Sequence, residues 1–343
     1  MLATPITGLP PSSMGGLTAL AMLPKSAQDH AVELRDRGFT VIPDAGIDSI
    51  AVKRSAAQCA AKLKIIHDNI HKGLGLDPIN QPYFFRDVCY RHFKRWDMQC
   101  DADTEIEQLC EQAADCAANI ISELHRLPIN DNDRGVHTLS RCITQPLFPS
   151  EPIALIQTGS IISLPGADAQ RFHVDGSRAH FRMSSLLPQH RLFNVFIPLV
   201  DITENSTGTQ FWPGSHLRRS RKRRYPEVIS RSQKVAQDEQ AMSEMVAPAC
   251  PAGGIILFDY RIIHRGLPNA GPTARPLAYA VMATGRAWDK ANFPGPTLDM
   301  AIEQMAQQDD PVQARSAAKQ ATPTWKELYE THPRWTRDSC YTW

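Results

Sequence analysis

The feature that most constrains this chain is a change of pattern near residue 137. Upstream, apolar residues recur three or four apart; downstream they gather in short runs broken by turns. From Ile50 to about Ile70 the apolar positions are 50, 52, 56, 59, 63, 66 and 70, one face of a helix. A second long helix is predicted behind Thr104-x-x-Glu107, a capping-box spacing. Its apolar face is Ile106, Leu109, Cys110, Ala113, Cys116, Ala117, Ile120 and Leu124, and Pro128 stops it. A short helix over 25–36 and a short strand, Gly38 to Pro43, come before these two. Near the end, Met300 to Gln308 and Trp325 to Tyr329 are modest helix candidates.

The downstream runs are Ile153–Ile156, Ser160–Leu164, Phe193–Leu199, Thr209–Trp212, Gly254–Asp259, Ile262–His264 and Leu277–Thr284. The 26 prolines and 19 glycines supply turns between them. Short strands after two early helices predict a mainly β, α+β chain: an antiparallel double-sheet barrel with a helical buttress. At 343 residues there is room for one large core with an annex. The expected organisation is a leader, 1–24, and a single domain, 25–343. Within that domain lie a helical buttress (25–136), a barrel core (about 150–285), a basic lid or insertion (217–245) and a helix and loop extension (286–343).

With 37 basic and 36 acidic residues, the chain has no general affinity for nucleic acid or anionic membrane. The run Arg218, Arg219, Arg221, Lys222, Arg223 and Arg224 reads as a solvated insertion, a nuclear-import signal or a mobile lid. Eight cysteines without CxxC spacing read as free thiols in a reducing compartment. No apolar run is long enough to span a bilayer, and Met1–Pro24 lacks the form of a secretory signal. A cytoplasmic setting follows as the expectation, with nuclear or organellar placement left open. Asn205-Ser206-Thr207 fits a glycosylation acceptor but, without export, reads as a turn.

The chemistry gathers around Gln170-Arg171-Phe172-His173-Val174-Asp175. On a strand, His173 and Asp175 share a face and offer two thirds of a 2-His-1-carboxylate iron site. His264 is the candidate third ligand. It ends a strand-like run before a turn-rich loop, where a histidine is more often a plain polar residue. Arg275 enters the following strand, where a guanidinium can form a two-pronged ion pair with a carboxylate. The aromatic and basic cluster from Tyr83 to Trp96, with Arg178, His180 and Arg182, offers walls for an organic pocket. The arginines hint at an anionic group on a small-molecule substrate, and ordinary pairing with nearby acids is the equal alternative.

From about Ile156 to Thr284, and more faintly back to Gly38, the chain resembles the phytanoyl-CoA dioxygenase-like branch of the iron(II)/2-oxoglutarate-dependent oxygenases. The resemblance rests on three ordered segments: Gln170-x-x-His173-x-Asp175; Thr209-Gln210-Phe211-Trp212-Pro213-Gly214-Ser215-His216; and Gly253-Gly254…Phe258…His264-Arg265-Gly266…Asn269…Arg275-Pro276. It implies a double-stranded β-helix (jelly-roll, cupin-like) with iron(II) on His173, Asp175 and His264, and with 2-oxoglutarate and O2 as cosubstrates. It implies that Arg275 holds the distal carboxylate of 2-oxoglutarate, with Gln170 and Thr209 near its other polar end. His216 would shape the site without ligating metal. Related halogenases lack the carboxylate ligand, so Asp175 favours oxidation, hydroxylation first, over halogenation. The residues leave other readings open. A cupin-like hydrolase or isomerase would use the same three ligands without 2-oxoglutarate. A nuclear, chromatin-associated protein would use the basic run. A non-catalytic barrel would make the triad accidental. A monomer or homodimer is expected.

Overall fold

Seven strands hydrogen-bond into one antiparallel sheet whose two faces are built differently. The computed structural model describes residues 24–127, 153–175, 190–203, 207–217, 242–285 and 295–322, with residues 287, 324 and 327. Three helices precede most of the strands: α1 (Ala27–Arg37), α2 (Ser49–Asn69, continued by a wider turn to Leu74) and α3 (Glu105–Arg126). The strands are β1 (Phe39–Ile42), β2 (Val88–His92), β3 (Arg95–Gln99), β4 (Ile153–Ser163), β5 (Leu192–Pro198), β6 (Thr209–Phe211), β7 (Ile255–Asp259), β8 (His264–Gly266) and β9 (Arg275–Thr284). Two helices follow, α4 (Leu298–Ala306) and α5 (Pro311–Ala321).

Helix starts follow their side chains. Ser26 and Asp29 form a reciprocal capping box on α1. Asp48 takes the first N–H groups of α2, from Ile50 and Ala51. Thr104 caps α3 through the Glu107 N–H, but the expected return bond shifts by one residue: the Glu107 carboxylate accepts from Asp103 N–H at 2.7 Å. Gly38 ends α1 in the left-handed region, φ 86°.

The main sheet runs β1-β7-β5-β9-β4-β3-β2. Along β5, Phe193, Val195 and Ile197 pack into a core shared with α1, α2 and α3. Leu192 and Phe196 face the other way, against Phe39, Phe211, Phe258, Tyr260 and Tyr279. The small sheet β6-β8 lies on this second face, with the Phe211 ring stacked on Phe39 at 4.7 Å.

The barrel expectation is overturned: the fold is mixed α/β, and among the described residues no sheet closes on itself. The large sheet ends in open edges, β1 and β2. The second layer is two strands of three residues plus isolated bridges such as His173↔His264. Period-two patterning finds extended segments, but closure needs a continuous hydrogen-bond ladder, which these segments are too short to supply. The expected strand around Gln170–Asp175 likewise contributes a single bridge, at His173.

Several elements differ in extent: the run expected over Ile262–His264 is replaced by β8, which begins at His264. Ile153–Ile156 and Ser160–Leu164 form one strand, β4, with a register shift between Leu155 and Gln157 opposite β9. The aromatic and basic cluster from Tyr83 to Trp96, for which no strand was expected, holds the hairpin β2-β3, turned at Phe93-Lys94 with Lys94 at φ 56°. Every residue of β2 is buried, so no alternation marks it. α5, with Asp310 as its cap and Pro311 in its first turn, was not expected. Trp325–Tyr329 lies essentially outside the described residues, as do the leader, Asn205-Ser206, Arg178, His180, Arg182 and the run 218–224.

Candidate metal centre

His173, Asp175 and His264 converge, with one possible ligand atom from each lying within 4.8 Å of the others. Backbone pairing sets this up. His173 and His264 exchange both N–H···O=C bonds at 2.9 Å, and Asp175 N–H donates to Tyr260 O at 3.0 Å. Gln170 N–H donates to Gly266 O at 2.9 Å, so the two segments run antiparallel past each other.

The side chains are oriented as well as gathered. His173 Nδ1 lies 2.8 Å from Arg171 O, and His264 Nδ1 lies 3.0 Å from Ile262 O. A carbonyl only accepts, so each Nδ1 carries a proton and Nε2 is the nitrogen left to face a metal. His173 Nε2 stands 3.7 Å from Asp175 Oδ1, and His264 Nε2 stands 3.5 Å from Asp175 Oδ2. Burial, and next the neighbouring His264, push the His173 imidazole down to about 4, so it is neutral at ordinary pH. Two neutral imidazoles and a carboxylate are the donor set of a facial iron(II) site, and the geometry fits that ion. The rings of Phe211 and Phe258 lie 5.9 Å and 5.1 Å from that of His264 and make its wall apolar.

Arg275 opens β9 and is buried. Its guanidinium donates to the carbonyls of Leu267 (2.8 Å) and Pro268 (3.2 Å). Arg95, on β3, reaches the same Leu267 carbonyl at 2.8 Å and Asp168 O at 3.3 Å, while its Nε has no hydrogen-bond partner. Burial lowers Arg275 to about 10; burial, then Arg275, lowers Arg95 to about 9. Among the described residues neither arginine has a carboxylate partner. Buried cations without a counter-ion are costly.

Gly266 is what lets them approach. A Cβ there would collide with the Arg95 guanidinium and would lie 2.6 Å from Gln170 Oε1. Gln170 Oε1 instead accepts from Gly266 N–H at 2.9 Å. Thr209 is buried on β6, paired with Gly266, on the strand face that also carries Phe211 opposite His264. His216 stands outside the metal group. Its Nε2 lies 3.0 Å from Arg35 O and its Nδ1 faces Gly38. The preceding Ser215 accepts from Ile263 N–H at 2.9 Å and so braces the strand entering His264.

Sequence reasoning missed two groups. Arg95 was only part of an aromatic and basic cluster, yet alternation on β3 splits that cluster. Trp96 and Met98 join Tyr83 and Tyr90 in the helix-side core, whereas Arg95 and Asp97 are buried polar groups of the alternate positions. Asp97 is held by Arg91 at 2.9 Å and by the Tyr279 hydroxyl at 2.8 Å. The second miss is Asn194, whose Nδ2 donates to Asp175 Oδ2 at 2.6 Å. One buried amide within Leu192-Phe193-Asn194-Val195-Phe196-Ile197 was the available signal.

The family model for phytanoyl-CoA dioxygenase (PhyH) matches residues 35–277. Among solved structures, AviO1 from Streptomyces viridochromogenes Tue57 is 18% identical, with 79% of this chain and 98% of that chain covered at a TM-score of 0.47. The non-heme alpha ketoglutarate dependent carbocyclase SnoK from nogalamycin biosynthesis is 14% identical, covering 82% and 93%, at 0.46. HygX from Streptomyces hygroscopicus, solved with nickel, 2-oxoglutarate and hygromycin B bound, is 11% identical, covering 78% and 94%, at 0.45.

Proposed function

Because the chain belongs to the phytanoyl-CoA dioxygenase family, we propose that His173, Asp175 and His264 hold iron(II) and that Arg275 and Arg95 receive the distal carboxylate of 2-oxoglutarate. The enzyme is an oxidoreductase acting by 2-oxoglutarate-dependent oxidation. The observation that carries the residue assignment is the convergence of the three ligands within 4.8 Å, with both imidazoles turned Nε2-inward. The reaction proposed is hydroxylation of a C–H bond in a small organic substrate, carried by a single domain over residues 25–343. When bound, iron(II) with 2-oxoglutarate and O2 supplies the oxidising power, the cosubstrate leaving as succinate and CO2.

The chain's own residues position and shield. The carbonyls of Arg171 and Ile262 hold the Nδ1–H of the two histidines, so Nε2 is the nitrogen that each presents to the metal. The two arginines act from a dry site, where a carboxylate is drawn more strongly than in water. Gln170 has committed its oxygen to Gly266, so any bond it makes to the cosubstrate comes from its amide nitrogen. Phe211 and Phe258 exclude water beside His264. The described cysteines are all free thiols, which supports a reducing, cytoplasmic setting; no helix of the described chain is long and apolar enough to cross a membrane.

A screen of small organic compounds for those that stimulate succinate release, with iron(II), 2-oxoglutarate and O2 present, tests the reading. Compound-dependent succinate that disappears in Asp175→Ala is expected. Compound turnover without succinate would replace it with a cupin-like hydrolase or isomerase.

A further inference from the structure

We propose that Asn194 is a positioning residue that holds Asp175 to one-oxygen ligation and thereby keeps a coordination position open. The inference rests on the metal reading above. Asn194 stands on β5, in the middle of the main sheet, opposite Phe258 on β7 and Val281 on β9. It is 5% exposed, and its strand neighbours on the same face, Leu192 and Phe196, belong to an apolar cluster. A buried primary amide in such surroundings costs free energy unless it is hydrogen-bonded. Its Nδ2 makes a bond of 2.6 Å to Asp175 Oδ2, short enough for a charge-assisted donor.

That bond has a consequence for ligation. An octahedral ion bound by two imidazoles and one carboxylate oxygen has three positions left, two for a chelating 2-oxoacid and one for O2. A carboxylate that bound through both oxygens would occupy the third. The amide proton engages Oδ2, which also stands 3.5 Å from His264 Nε2, and pins the rotation of the carboxylate; ligation is assigned to the oxygen without that bond, Oδ1, 3.7 Å from His173 Nε2. Asn194 comes from the centre of the sheet, laddered on both sides, while Asp175 sits on a segment held by an isolated bridge at His173 and by one backbone bond each at Gln170 and Asp175. The rigid element therefore sets the geometry of the less rigid one.

Manganese(II) serves as the probe, with the number of bound waters read from water-proton relaxation and pulsed electron paramagnetic resonance, and the affinity from titration. The wild type should retain three exchangeable waters, displaced in part by 2-oxoglutarate. Asn194→Leu, which keeps the volume and removes the donor, should lose one water and bind manganese about 10–100-fold differently. Asn194→Ser, with a shorter donor, should restore the water count in part. An unchanged water count and affinity in Asn194→Leu would overturn the inference. So would two-oxygen ligation by Asp175 in a crystal structure of the metal-loaded wild type, a measurement that needs no variant to fold. Manganese binding that survives His264→Ala, or none in the wild type, would instead bring down the metal reading itself.

Discussion

The two faces of the central sheet are made to different specifications, and β5 shows both. Phe193, Val195 and Ile197 share an apolar core with Ile121, Leu109 and Ala117 of α3, and the buried polar groups on the helices beside it are few and uncharged or paired, such as Ser55 and the His30–Thr40 pair. The other face places Asn194 between Leu192 and Phe196. Asp97 and Arg95 on β3, Arg275 on β9 and His264 on β8 are buried as well. The helix side gains stability from area removed from water and asks only for matching shape. The site side accepts desolvated charges and amides, which do not stabilise a fold unless paired. It keeps them where a metal and an anion can complete the pairing. Stability and chemistry are thus separated by the thickness of one sheet, and substitutions on either face should separate them too.

The largest effect is expected on the site side. His264→Ala should abolish substrate-coupled succinate release, while the urea midpoint of the metal-free protein stays close to that of the wild type. Ile121→Ala, at a fully buried position on the helix side, should do the opposite. It should cost about 2–5 kcal/mol in urea unfolding and leave metal affinity unchanged. If Ile121→Ala weakened metal binding as much as it weakened folding, the separation would fail.

His216 tests the seam between α1 and the small sheet. Burial drives its imidazole down to about 4, below the unfolded value, so the unfolded chain takes up the proton first. Stability is therefore complete above about pH 6.5 and falls as pH drops toward 4, by roughly 3 kcal/mol for this one group. His216→Gln should flatten the thermal-stability profile in that window; a profile as steep as the wild type's would contradict the assignment. The smallest effect is Arg275→Ala, predicted to raise the KM for 2-oxoglutarate about 10–100-fold with a lesser change in kcat. Normal cosubstrate affinity would remove Arg275 from the pocket.

The helix side was the more legible in sequence. α2 and α3 announced themselves by a 3.6-residue period, and α3 also by Thr104 at its start, whereas the Asp48 cap of α2 was seen only in the structure. The three metal ligands were legible for a different reason: His173 and Asp175 are two residues apart, and His264 follows the apolar pair Ile262-Ile263 ahead of a turn-rich stretch. Arg95 and Asn194 were not legible, because their significance lies in contacts with Arg275 and Asp175 far away in the chain. The closed barrel failed as an expectation because alternation reports which residues are extended and says nothing about which edges meet.

The most direct test of the central claim is an anaerobic titration of the metal-free protein with iron(II) and 2-oxoglutarate, followed by the weak visible charge-transfer band of the chelate. The account predicts a band that requires both additions, saturates at one equivalent of iron and is absent in His264→Ala. No band in the wild type, or an undiminished band in His264→Ala, would contradict it.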